Sequence, residues 1–351
     1  MSSIGTGPLK IGIVGAGANG RARHIPGFRA IPGVEIVSVA NRSRESSERA
    51  AAEYEIPEVY YTWAELVAAP DTNAICVSTW PNMHATIAVA ALEHGKHVLS
   101  EGRMAMNAAE AHAMLDAARR HPGLVAHVVP APYTLEIDNA VIGLIGNGYL
   151  GDVLSVEVIA NGSGFIDYKA PMHWRQDPDI SGLNIMGMGI AYERIMRWVG
   201  PAASVSALGR VNVKSRRDGQ GHQRWMTIPD HIEALCEMAS GPVMHLKVSS
   251  ISGIAPADYI ALYGSEGTLR VDVNATSCRV FGGRRGDKEL KELEVEREAN
   301  GGWRVEEDFA ESVRDGKPVT RTTFEDGVRY MEFTEAVVRS MQRAHRVALP
   351  L

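Results

Sequence analysis

The stretch "KIGIVGAGANG", Lys10 to Gly20, constrains what this chain can fold into more than any other. A short apolar run leads straight into Gly15, Gly17 and Gly20, spaced G-x-G-x-x-G, and a helix-like pattern follows. At a strand-to-helix turn of this kind the first glycine permits the tight bend and the second lets a pyrophosphate approach the backbone. The third lets helix and strand pack closely. The spacing therefore predicts a parallel sheet with a dinucleotide held at the turn by Gly15, Gly17, Ala18, Asn19 and Gly20.

The chain beyond the turn agrees. From Leu9 to about Asn147, β-branched runs ("KIGIV", "VEIVSVA", "EVYY", "AICVST", "KHVLS", "VAHVV") alternate with helical patterns, which is the βαβ signature. The helix pattern from His84 ends at Gly95, suited to a left-handed cap, and Asn107 followed by Glu110 has the spacing of a helix start. After Gly151 the texture changes to longer alternating strands: "DVLSVEVIANGSG", "HIEALCEMAS", "VMHLKVSS", "DYIALYG" and "TLRVDV". The expected fold is α/β: a Rossmann domain over residues 1–130, then an α/β domain over 131–351 with a large, mostly antiparallel open sheet. The closing stretch from Val305 holds two helical patterns expected to pack back on the first domain. The charged run Gly282 to Gly302 is expected at the surface.

Composition narrows the partners. With 45% apolar and 22% charged residues and a net charge of -6, no basic surface for nucleic acid is expected. The three cysteines, Cys76, Cys236 and Cys278, suit neither a disulfide framework nor a zinc cluster and fit a cytoplasmic setting. No apolar run reaches the ~18 residues of a membrane span, and the N-terminus lacks an export pattern. No metal is expected, since no helix face carries paired histidines with acidic support, and the methionines of "NIMGMG" suit irregular apolar packing.

The second strand ends "SVANRSRE". An NAD site usually places a carboxylate there for the ribose hydroxyls, whereas Asn41 is uncharged and Arg42 offers a guanidinium fork for a 2′-phosphate. NADP is the expected cofactor, with contacts at Asn41 and Arg42, and NAD is the alternative.

With these residues in hand, the chain resembles the glucose-fructose oxidoreductase, inositol dehydrogenase and rhizopine-catabolism family, Gfo/Idh/MocA. The resemblance rests on "IGIVGAGANGRARHIPGF", "ICVSTWPNMHATIAVAALEHGKHVLSE", "LIGNGYLGDV", "WRQDPDISG", "YGSEGTLRVD" and the segment from "FAESVRDG" to "EAVVRS". It implies a substrate beside the nicotinamide between the two domains, and a homodimer or homotetramer assembled through the open sheet. It also implies cofactor contacts at Thr79 and His84, the ends of a Thr-Pro-Asn-x-x-His turn, and at Glu101 and Gly102, the first two positions of a Glu-Lys-Pro motif.

The departures are concentrated at the chemistry. Gly102 stands where the family has its proton-transfer lysine and Arg103 where it has proline. Gly187 and Ala191 replace an aspartate and a histidine, and "APYT", Ala131 to Thr134, replaces a frequent Asn-Arg-Arg-Phe. Glycine and alanine cannot relay a proton, so the candidate replacements are Lys169, His173 and Tyr133. Lys169 and His173 can also be read without a catalytic role, as a solvated lysine and a histidine bonded within the fold. The substrate side is expected to involve Arg103, Trp174, Arg175, Asn184 and Tyr192, the arginines suiting an anionic carbohydrate-like molecule. Three functions fit: a net oxidoreductase on a sugar or sugar-acid hydroxyl, a redox-neutral glycosidase or lyase working by transient oxidation, and a non-catalytic dinucleotide-binding protein.

Overall fold

The computed structural model describes residues 8–162, 164–274 and 277–351, which divide into two units. The first comprises residues up to Pro130 together with Arg304–Val328. The second comprises Ala131–Trp303 and Arg329–Leu351.

In the first unit, β1 (Leu9–Val14), β2 (Val34–Ala40), β3 (Glu58–Val59), β4 (Ala74–Val77), β5 (His97–Ser100) and β6 (Ala126–Val128) form one sheet. Its order is β3-β2-β1-β4-β5-β6 and every pairing is parallel. This is the doubly wound order, with its switch point between β1 and β4, where ligands of such sheets bind. The strands read as nearly continuous apolar runs because helices cover both faces of a parallel sheet. The helices of this part are α1 (Ile25–Arg29), α2 (Arg44–Glu53), α3 (Trp63–Ala68), α4 (Pro81–Glu93) and α5 (Ala108–Arg120). The α4 helix starts three residues before His84 because Pro81 suits the first helical turn. It ends as expected, with Gly95 at φ +74°. The Asn107 side chain caps α5 by accepting from the Glu110 N–H at 2.9 Å.

The second unit is built on a nine-stranded sheet. After α6 (Asp138–Gly146) come β7 (Val153–Asn161), the short α7 (Pro178–Ser181), α8 (Met188–Val199) and β8 (Ala202–Arg210). A two-stranded ribbon, β9 (Ser215–Arg217) and β10 (Gln223–Trp225), stands apart. Then follow β11 (His231–Met238), β12 (Val243–Ser249), β13 (Asp258–Gly264), β14 (Gly267–Val273), β15 (Cys278–Arg284), β16 (Lys291–Glu292), α9 (Val305–Asp315), α10 (Phe324–Arg343) and β17 (Val347–Ala348), with α9 lying in the first unit. The order is β16-β15-β14-β13-β7-β12-β11-β8-β17, antiparallel except for β7 against β12.

Period-2 alternation sends Val156, Val158, Ile232, Ala234, Leu246, Val248, Ile260 and Leu262 to a buried face, against which α8 packs. The opposite face carries exposed Leu208, Leu235, Val243 and Tyr263 around a polar belt in which His245 meets Glu233 at 2.7 Å. The charged run after Gly282 is exposed from Arg284 to Glu292, but its first three residues belong to β15, and Gly282 and Gly283 are buried.

Candidate functional site

The glycine turn is fixed by the loop after β4. At Gly15, φ is +90° and an added Cβ would lie 2.8 Å from the Ser78 carbonyl oxygen. One at Gly20 would lie 3.0 Å from Ser78 Oγ. Gly17 and Ala18 are exposed, and the nearest atom to a Cβ at Gly17 is 3.7 Å away. Two of the glycines therefore serve packing, and the middle one leaves open backbone beside the β1–β4 switch point. That is the cradle a pyrophosphate needs, so the residues present fit a dinucleotide.

Asn41 ties this turn to the next helix. Its Oδ1 accepts from the Ala16 N–H at 2.7 Å and its Nδ2 donates to the Ser46 carbonyl at 2.8 Å. Arg42 is exposed, its guanidinium 5.7 Å from the centre of the Trp80 ring. Arg44 is committed elsewhere, paired with Glu48 at 2.9 Å and lying over Tyr61.

At the end of β5, Glu101 accepts from Asn19 Nδ2 and meets His24 Nε2 at 2.9 Å. The other nitrogen of His24 meets Glu306 of α9 at 2.5 Å. Burial alone would lower the His24 pKa, but its hydrogen bonds to the two carboxylates and their charges outweigh burial and push it up to about 9. His24 is thus an imidazolium at neutral pH, donating through both nitrogens. Burial raises the Glu101 carboxyl, yet the bond and charge of His24 hold it below the usual range. Gly27 makes room for this cluster, since a Cβ there would lie 2.8 Å from the Glu306 carboxylate.

His84 is fully buried between the Thr79 carbonyl (Nε2, 3.1 Å) and the Arg103 carbonyl (Nδ1, 3.0 Å), joining the loops after β4 and β5. Burial lowers its pKa, and a neutral ring donates through one nitrogen only. At Gly102 an added Cβ would stand 2.8 Å from the Val129 carbonyl oxygen, so the backbone leaves no room for a side chain where the lysine was expected. Arg103 is buried, at 3% exposure.

In the second unit, α8 holds the "APYT" loop. Glu193 Oε2 accepts from the Ala131 N–H at 3.0 Å. Arg197 donates to Glu193, to Asp138, to the Ala131 carbonyl and to Thr134 Oγ1. Cys278 Sγ donates to the Tyr133 carbonyl at 2.8 Å. So clamped, Tyr133 stands exposed, with the guanidinium of buried Arg194 5.7 Å from its ring centre.

The other sequence candidates lie elsewhere in this unit. Lys169 is exposed in a turn where its N–H and that of Ala170 donate to Asp167 Oδ1. His173 caps the turn Trp174–Gln176, its Nδ1 accepting from the Arg175 N–H at 3.2 Å. The proton of the neutral ring then sits on Nε2, and the lone pair a base would use is engaged. Burial and then Arg175 lower its pKa. The Trp174 ring has the His173 ring 5.5 Å away, and the Arg175 guanidinium lies over it at 4.2 Å. Buried Asn184 donates to the Ser181 carbonyl at 2.7 Å. Tyr192 is a core residue: its ring stacks on Phe333 at 3.7 Å and its hydroxyl accepts from the Ala202 N–H at 2.7 Å.

Sequence reasoning passed over His24, Glu306, Asp138, Arg194 and Arg197. For the α8 residues a signal existed, since Glu193, Arg194 and Arg197 interrupt an otherwise apolar helix. For His24 and Glu306, 282 residues apart, none did.

The glycine cradle at the switch point of a doubly wound sheet, followed by a large open-sheet unit, defines a dinucleotide-binding α/β protein. The sequence comparisons agree: residues 9–128 match the model of an oxidoreductase family with an NAD-binding Rossmann fold, and 142–349 match the C-terminal α/β domain of the same family. The chain belongs to this family, Gfo/Idh/MocA, and is an oxidoreductase of that group.

Levoglucosan dehydrogenase of Pseudarthrobacter phenanthrenivorans is 22% identical over 97% of this chain and 98% of its own length. Solved with NADH and levoglucosan, levoglucosan dehydrogenase superposes with a TM-score of 0.85 at 21% identity, over 98% of this chain and 100% of the other. An inositol 2-dehydrogenase of Gluconacetobacter diazotrophicus is 31% identical over 43% of this chain and 45% of its own. An oxidoreductase domain protein from Kribbella flavida shares the fold at a TM-score of 0.86 and 23% identity, covering 99% and 100% of the two chains. Among the described residues no helix is long and apolar enough to cross a membrane.

Proposed function

We propose that this chain is an NADP-preferring dehydrogenase or reductase acting on a hydroxyl of a sugar, sugar acid or related carbohydrate. The observation that carries the reading is the open cradle at Gly17 and Ala18, built by two glycines that the loop after β4 requires. The substrate class is supported by relatives whose names specify levoglucosan and inositol. When bound, the nicotinamide accepts or returns a hydride. The chain's own task is to hold the dinucleotide along Gly15–Gly20 with Thr79 and Glu101 beside it, and to move the hydroxyl proton; buried His84, named as a cofactor contact from sequence, instead braces the loops after β4 and β5 through its two backbone bonds. Tyr133 fits that second task better than His173, whose lone pair caps a turn, or Lys169, which lies in a solvated turn.

The test is a screen of neutral sugars, polyols and sugar acids with NADP and NAD, following both reduced cofactor and any released leaving group. Reduction of cofactor in proportion to substrate supports the reading. Leaving-group release with no net reduction, or dinucleotide binding with no turnover, sinks it.

Cofactor choice gives a separate expectation. Asn41 is committed to the turn and no carboxylate ends β2, while Arg42 is exposed with its guanidinium beside Trp80. A charge-assisted contact is worth roughly 1.5 to 3 kcal/mol, so Arg42→Ala should weaken NADP about 10- to 100-fold and NAD little. Equal affinities of the unmodified chain for the two dinucleotides would contradict this.

The open face of the nine-stranded sheet presents Leu208 and Leu235 at 64% and 58% exposure, with Val243 and Tyr263. Leaving that face in water is unfavourable, and pairing it with a second copy in a homodimer or homotetramer removes the exposure. Sedimentation at micromolar concentration should show the oligomer, and a monomer would overturn the assignment.

A further inference from the structure

On α8, Arg194 and Arg197 stand one turn apart and meet opposite fates. Arg197 is neutralised by Asp138 at 2.8 Å and Glu193 at 2.9 Å and bonds the loop besides. Arg194 is 5% exposed, and its Nε has no hydrogen-bond partner among the described residues. The carboxylate that acts on it through space, Asp258, accepts instead from the Asn161 N–H at 2.7 Å. Burial and the neighbouring Arg197 charge both work against the Arg194 cation, yet a guanidinium does not shed its proton at accessible pH. An isolated buried charge is costly unless something pairs with it. Next to it lies Tyr133, a residue 45% exposed, whose ring centre is 5.7 Å from the guanidinium.

We propose that Arg194 is the receptor for a planar oxyanion, the carboxylate of a sugar acid, which its guanidinium fork grips beside the ring of Tyr133. The inference rests on the carbohydrate reading above for the nature of the molecule that carries the carboxylate. One buried cation matches one negative charge. A phosphate dianion would call for a second cation, and the nearest on the helix, Arg197, is already neutralised. A guanidinium and a carboxylate also match as two parallel N–H···O bonds, and the flat aromatic face alongside suits the apolar side of a sugar ring.

The test uses the full chain and thermal unfolding in acetate, D-gluconate or inorganic phosphate, each against chloride at equal ionic strength, with titration of D-gluconate for affinity. Acetate and gluconate should raise the midpoint of the unmodified chain more than phosphate does. Arg194→Met should abolish that rise and weaken gluconate about 10- to 100-fold, the range expected for loss of a charge-assisted pair. A cooperative unfolding transition in chloride, near that of the unmodified chain, reports that the variant is folded. If Arg194→Met fails to fold, Arg194→Lys, which keeps the charge and loses the fork, should weaken gluconate about tenfold. An equal carboxylate effect in the variant and the unmodified chain, or none in either, overturns the proposal. Neutral sugars turned over with no carboxylate effect would overturn the anion site and leave the dehydrogenase reading standing. A carboxylate effect lost on substitution, with no substrate turned over, would do the reverse.

Discussion

Replacing His24 with leucine is expected to lower the unfolding midpoint of the first unit by about 6 to 20 °C. The imidazolium is fully buried between Glu101 and Glu306, so its removal leaves two acids facing each other without the cation that separates them. Breaking a buried ion pair by deleting one partner typically costs about 3 to 5 kcal/mol, and for a unit of this size each kcal/mol moves the midpoint by about 2 to 4 °C. A second replacement, Glu306→Gln, should recover part of the loss by removing one of the stranded charges.

The pH dependence has a definite sign. The folded pKa of His24 is raised from 6.5 to about 9, so its contribution is fully present below about pH 6.5 and is lost as pH rises through about 9. The shift corresponds to about 3 kcal/mol across that window. Glu101, held below the usual carboxylate range, contributes in the opposite direction, its share being lost only as pH falls through that lowered value. Unfolding scans from pH 6 to 10 should show an alkaline decline in the unmodified chain that is much reduced in His24→Leu. A decline of equal size in both would show that His24 does not carry it.

The first unit was legible because its signals are local. Glycine spacing, β-branched runs and cap residues each fix a few consecutive dihedrals, and they all pointed to the parallel sheet that is observed. The second sheet was legible in five of its nine strands, and not in β8, β15 or the two-residue edge strands β16 and β17. "AASVSALGR" and "CRVFGGR" are rich in small residues, and it is their pairing with β11 and β14 that makes them strands.

The site divided in the same way. Gly15, Gly17 and Gly20 could be read from spacing. The fate of Asn41, tied to Ala16 and Ser46, could not, because a side chain at a strand end serves the ligand or the fold according to what the next helix presents. In α8, Tyr192 and Glu193 are consecutive, and helical periodicity points consecutive residues in different directions. It did not show that Tyr192 would enter the core, that Glu193 would clamp the loop, and that Arg194 would be left beside Tyr133.

A side chain at Gly102 would collide with the Val129 carbonyl, and we propose that proton transfer has moved from that position to Tyr133. Tyr133 is exposed, its carbonyl is bonded to Cys278 Sγ, and its neighbours Ala131 and Thr134 are fixed by Glu193 and Arg197, so it stands on a braced loop. A proton-transfer group within reach of a reacting hydroxyl contributes a factor of roughly 100 to 10,000 in rate. The direct measurement is the single-turnover rate of cofactor reduction in Tyr133→Phe beside the unmodified chain, on a substrate found by the screen, with dinucleotide affinity measured in both. The account predicts a rate lower by roughly 100- to 10,000-fold at nearly unchanged dinucleotide affinity. Wild-type rates in Tyr133→Phe, Lys169→Ala and His173→Ala alike would contradict it.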